Sequence, residues 1–293
     1  TVTQPAGLAA NQYLVVGTGT ANAMTQSLEI VVERSLLNPF RGPVLGDQAV
    51  RIDGSVVTRS WDSTRGTYFT TWSETQAGLR TNSTNDGAIR LDGSAVIGGD
   101  LEVGRGGDVS RGIRINGSVA LRGERRVATE AIVLETKTPP ANCRSLGRED
   151  RNGDVVLDES TMTVAGGTYC VTRRLELKGT STLQFTGPAT VFAAGLKTSG
   201  SATVLAADSK PTNLAVNVTG TQRVDLNGTT IFYGTIHAKS ALIKTDGSTI
   251  IYGALAGQGI EIRGSAELRY DRALRNTQGS NTYSTTIRFW QQL

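Results

Sequence analysis

The residues best equipped for chemistry lie in EDRNGDVVLDE, Glu149 to Glu159. Asp150, Asn152 and Asp154 alternate there, with Asp158 and Glu159 beyond them. Oxygen ligands are thus spaced as at the start of a calcium loop, where a tight turn presents them to a hard cation. Val155 stands where an EF-hand loop has glycine, and Thr161 where it has its final glutamate. The expectation is a structural calcium site closed by Asp158 or Glu159, against the alternative of a plain polar loop. Cys143 and Cys170, the only cysteines, flank this segment. They suit a disulfide closing a loop better than a close metal-ligand pair. The chain-entropy model gives such a bond roughly 3 kcal/mol, and it favours an oxidising, exported location. Two buried free thiols are the alternative.

Three further sets bear on function. Arg122, Arg125, Arg126, Arg173 and Arg174 could contact phosphates if neighbouring elements brought them to one face. The formal charge of +4 allows nucleic acid as a partner without requiring it, and no aromatic platform is interleaved with these arginines. Scattered solvated arginines are the alternative. Glycan hydrolysis or lysis would need paired carboxylates, or a carboxylate with Arg or Lys, in a cleft with aromatic residues. No such cluster is legible, nor is a phosphate-binding loop or a serine-nucleophile elbow. The only histidine, His237, is expected at a solvent-facing position. The chain reads as a non-enzyme.

The elements that position these residues follow from composition and repetition. Gly at 35 of 293 residues with only 5% aromatics argues for a thin core of small β-branched side chains, because a thick core needs large aromatics. No run approaches the ~20 apolar residues of a membrane helix, and no signal peptide opens the sequence. A small motif recurs eight times: a residue, then Gly, then Ser or Thr, between short β-type runs. Its glycines are Gly54, Gly93, Gly117, Gly179, Gly200, Gly228, Gly247 and Gly264. From Gly179 onward they are 21, 28, 19 and 17 residues apart, the length of one solenoid coil. The stretches from Gly228 and Gly247 align without a gap, placing Ile231 on Ile250, Tyr233 on Tyr252, Gly234 on Gly253, His237 on Ala256 and Ile243 on Ile262. Glycine at each corner tolerates the backbone that a sharp bend demands. About ten coils would form a rod roughly 50 Å long, with an insertion or unrecognised coils between Gly117 and Gly179. An antiparallel sandwich with Asp-Gly and Asn-Gly hairpins is the alternative.

The segments GPATVFAAG, NLAVNVTG, YGTIHA, YGALAG and GSAELRYDRAL, between Gly187 and Leu274, resemble the C-terminal region of PilX-type pilus assembly proteins. SWDSTRGTY (Ser60 to Tyr68) and GGTYCVTRRLELKG (from Gly166) are similar to further segments of that family. The ends fit as well. Tyr13 to Glu33 reads as two alternating strands around a turn, and Thr285 to Trp290 as one more. The resemblance implies an all-β protein: a right-handed parallel β-solenoid (47–275) inserted in a small pilin-like antiparallel sheet (1–46 and 276–293). It also implies an apolar N-terminal helix that this sequence does not contain, through which a membrane would be reached. The expected function is that of a bacterial minor pilin at the cell surface, acting in pilus assembly, adhesion or ligand binding. Its partners would be other pilin subunits and either DNA or a surface glycan. A DNA-binding pilin of a competence pilus is the alternative, and a glycan-cleaving β-helix a third class.

Overall fold

The computed structural model describes residues 2–3, 12–21, 24–36, 38–277 and 283–292. The chain divides into two compact units, Thr1–Asn38 with Gln278–Leu293, and Pro39–Thr277. Residues 39–46 and 276–277, assigned from the sequence to the end segments, thus pack with the solenoid.

In the first unit, alternating apolar and polar residues make strands that pair only antiparallel. Val2–Thr3 lies beside Gln12–Ala21, which pairs with Met24–Leu36, which in turn pairs with Tyr283–Gln292. The turn expected between the first two long strands includes residues 22 and 23, outside the described residues.

The second unit is a parallel β-solenoid. Its ladder register is set by the repeat: Gly93 pairs with Gly54 and with Gly117, Gly264 with Gly54, and Gly228 with Gly247. All eight sequence-identified glycines stack in one column, in the spatial order Gly179, Gly200, Gly228, Gly247, Gly264, Gly54, Gly93, Gly117. A Cβ on Gly93 would lie 2.6 Å from the Gly54 carbonyl oxygen, at a φ of +111°. Only glycine fits such a corner. Below Gly179 the column ends at Glu159, a non-glycine residue at φ 44°. That makes nine levels, about 40 Å of stack, with a core of Val, Ile, Leu and Ala.

The stacking order is not the chain order. The strand Val44–Trp61 starts in the middle of the stack, and Ile89–Ile97 and Ile113–Leu121 build outward from it to one end. The chain then runs back without strands through residues 128–142 and resumes at the opposite end. From there it winds inward until its last strand, Ile250–Asp271, lies parallel on the first, Val44–Trp61. The long interval between Gly117 and Gly179 thus holds this return segment and one further level. The return segment is stitched down where it passes. Asn82 donates its side-chain amide to Asp47 Oδ1 (2.8 Å) and to the Ile132 carbonyl (2.7 Å), and accepts from the Ile132 N–H (2.9 Å). Ile132 and Leu134 are buried with Leu45, Ala254 and Ala256.

The gapless alignment holds from Ile231 on Ile250 to Ala238 on Gly257 and then fails. Ile243 pairs with Ile260, not Ile262, because the register shifts between Ala238 and Leu242. Two extra residues there bulge out, with Lys239 and Ser240 exposed, and this returns Gly247 to the glycine column.

Candidate ligand-binding face

The sites expected from the sequence are placed as follows. Cys143 and Cys170 form a disulfide with Cα atoms 5.7 Å apart. It ties the first short strand after the return segment to Gly167–Lys178, where Ser145 pairs with Cys170. Within the loop it closes, Asp150 Oδ1 accepts the backbone N–H groups of Asn152 (2.8 Å) and Asp154 (3.0 Å). These bonds hold its carboxyl below the usual range. Asp154 is buried and occupied by Arg174, through the backbone N–H at Oδ1 and the guanidinium at Oδ2, 3.1 Å each. Asp158 is exposed on its strand and Glu159 forms the corner. Among the described residues no three His, Cys, Asp or Glu side chains group as metal ligands. Of the carboxylates expected to hold calcium, Asp150 serves as a turn acceptor and Asp154 as an ion-pair acceptor.

The arginine set is not brought together. Arg122, Arg125 and Arg126 follow Gly117 at one end of the stack, and Arg173 and Arg174 precede Gly179 at the other. Seven levels separate them, about 34 Å. Four of the five face carboxylates: Arg122 with Glu74 (2.8 Å), Arg126 with Asp100 and Glu102, and Arg173 and Arg174 with Asp154. His237 is buried, contrary to its expected exposure. Burial first, with Lys137 and Lys239 beside it and against the opposing Glu135, lowers its pKa to about 4. Lys137 and Glu135 belong to the return segment, an element that the pairwise alignment of coils does not contain.

The structure also assembles what the sequence did not reveal, an aromatic and arginine cluster on the outward sheet face that follows each glycine corner. Between the strands Val44–Trp61 and Leu79–Thr81 the chain leaves the solenoid in a loop carrying the short helix Tyr68–Thr71. Asp62 starts this loop by accepting the N–H and hydroxyl of Thr64. The loop is anchored to the last coil: Trp61 Nε1 donates to the Arg269 carbonyl (3.1 Å), and the Ser63 N–H to Asp271 Oδ1 (3.1 Å). The segments SWDSTRGTY and YDRAL, far apart in sequence, therefore meet. Asp271 is fully buried, which raises its pKa, and its Oδ1 also caps the turn at Ala273.

Over this anchor, Tyr233 and Tyr252 stack at 4.1 Å on consecutive coils, with Tyr68 edge-on to Tyr252 at 5.8 Å. The Arg269 guanidinium lies 4.3 Å from the Tyr68 ring and 4.7 Å from Tyr252. It also bonds the Tyr252 hydroxyl and Glu267 at 2.5 Å. Arg59 lies 4.8 Å over Trp72. Charges alternate across the face: Arg269 with Glu267, Glu267 with Arg59 (3.7 Å), Arg59 with Glu74 (3.5 Å), Glu74 with Arg122. Burial opposes ionisation of Glu267, but the bonds from Arg269 and Tyr68 outweigh it and hold the carboxyl low. Such a carboxylate is no general acid, and Asp271, the raised one, is sealed from solvent. Phe69 (76% exposed) and Trp72 (48%) lie at the surface of the cluster, Phe69 edge-on to Tyr68 and Trp72 with Arg59 against its ring. Beside it runs a shallow groove of about 540 Å³ lined by Ser55, Val57, Val96, Ser94, Ser118 and Ala120.

A family model matches residues 174–277, about a third of the chain, and is described as a domain of unknown function, DUF7305. No curated protein matches. Among solved structures, the chain is similar to a glycosylated ice-binding protein from an Arctic yeast (TM-score 0.46, 13% identity, 79% of this chain and 91% of that one). It is similar also to an ice-binding protein domain of Shewanella frigidimarina (0.45, 12%, 81% and 98%). A third match is the competence-associated pilin ComZ of Thermus thermophilus (0.39, 10%, 100% and 83%). None of these is described as an enzyme, and at such scores they assign no ligand to this chain.

Proposed function

We propose that this protein is a non-enzymatic, pilin-like surface protein that displays a β-solenoid as its binding module, with other pilin subunits as its neighbours. The observation that carries the reading is topological. The whole solenoid is inserted between the third and last strands of one antiparallel sheet, so that the strands before and after it pair with each other. That is the arrangement the resemblance to PilX-type proteins implied. The test is to shear surface filaments from cells of the source organism and probe them with an antibody to the solenoid. The reading expects the protein in the filament fraction; its retention inside the cells overturns the reading.

A second reading rests on one column of the same face. Thr161, Thr182 and Thr203 stand in register on consecutive levels, about 4.8 Å apart, which makes a regular row of hydroxyl groups suited to ordering water. It expects the solenoid to arrest ice growth in a freezing-hysteresis measurement, and no hysteresis at saturating protein ends it.

A further inference from the structure

We infer that the aromatic face around Phe69 and Trp72 is a binding site for a neutral, pyranose-type polysaccharide chain. The inference concerns the solenoid alone and holds or fails whether or not the protein resides on a pilus. Three observations carry it.

The first is the exposed aromatic surface. Within the solenoid unit, Phe69 and Trp72 are the exposed large aromatic residues. Both lie on or directly after a four-residue helix whose position is fixed from below by Trp61, Tyr68 and Asp271. The helix so anchored presents the Phe69 ring and the face of Trp72 that Arg59 leaves open. The axial C–H faces of a pyranose ring complement such planes, and aromatic anchors of this kind dominate recognition.

The second is the charge pattern. The row Arg269, Glu267, Arg59, Glu74, Arg122 is paired internally from end to end. A polyanion is recognised by guanidinium groups whose counterions it can replace, and here carboxylates already occupy that place. What the row offers instead is a near-neutral succession of N–H donors and carboxylate acceptors, which matches sugar hydroxyls, each both donor and acceptor. This weighs against nucleic acid at this face.

The third is the groove. Register places Glu267, Val57, Val96 and Ala120 side by side on four successive levels. Arg269 and Arg59 are paired two residues further along the same face. The groove floor is therefore continuous with the paired charges and runs along the stack. Its small apolar and serine lining leaves room for an extended, hydroxyl-bearing chain rather than a compact ligand.

The experiment titrates the full chain with cellohexaose and chitohexaose by calorimetry and by tryptophan fluorescence, at low and high salt. Single-stranded DNA and heparin serve as polyanion probes. The wild type should bind at least one neutral hexasaccharide with an affinity unchanged by salt, and Trp72→Ala and Phe69→Ala should each weaken it about tenfold or more. Phe69 is three-quarters exposed, so its variant keeps the fold and leaves the test valid if Trp72→Ala melts early. Absence of binding to both hexasaccharides at millimolar concentration overturns the inference. So does binding that both variants leave intact, or binding only to the polyanions with a steep loss at high salt.

Discussion

Gly93 shows what the repeated glycine is for. Its neighbours in the column leave no volume for a Cβ, and its φ of +111° is one that side chains avoid. Gly93→Ala should therefore cost at least about 2 kcal/mol, from backbone strain and from collision with the Gly54 carbonyl. Ser94→Ala, exposed on the next residue, should stay within about 0.5 kcal/mol. Urea denaturation of the two variants checks both. His237 sets a pH window of the opposite kind. Its folded pKa, about 4, lies below the ordinary value of 6.5, so in that interval the unfolded chain binds a proton that the folded chain refuses. Stability is full above pH 6.5, falls as pH drops towards 4, and levels off below it, a loss of about 3 kcal/mol. His237→Ala, which places in this coil the residue that Ala256 supplies in the next, should flatten that limb in melts across pH 4 to 7.

Among the elements, coils were legible and their order was not. Each glycine corner is a local steric demand, so the motif exposes it wherever it occurs. Which coil lies on which depends on edges that share one register, and Gly264 stacks on Gly54 as readily as on Gly247. The two-residue bulge before Leu242 hid in the same way, because hydrophobic matching alone continues past it. Of the aromatic face only the Tyr233–Tyr252 pairing was legible; the rest was not, because Trp61 and Arg269, in direct contact, are 208 residues apart. The disulfide and the terminal strands were legible because a lone cysteine pair and short β-branched runs around a Gly/Asn-rich turn each constrain the chain locally. The return segment, with no periodicity of its own, was legible only as an unexplained interval between Gly117 and Gly179. Its hold depends on Asn82, and Asn82→Ala removes three hydrogen bonds at once. A loss of about 2 to 3 kcal/mol is expected, with hydrogen exchange accelerated first at residues 130–137. Uniform exchange across the solenoid would show that the segment contributes no separate latch.

At the scale of the molecule, the stack closes only when the last strand meets the first. A chain ending at Ser248 would lack the strand Ile250–Asp271 and leave a full edge of Val44–Trp61 unpaired. Light scattering of that truncation should report association of copies, as open parallel edges are prone to pair with other chains. A monomeric truncation would mean that the two halves stand independently. The inside-out winding also decides how the solenoid would carry a pull. Both polypeptide links, at Pro39 and Thr277, issue from adjacent central levels, so tension between them crosses one seam, from Leu255 on Val44 to Asp271 on Trp61. That tension enters at the N-terminal end of one strand and leaves at the C-terminal end of its parallel partner, which loads the seam in shear. The coils at either tip lie outside that load path.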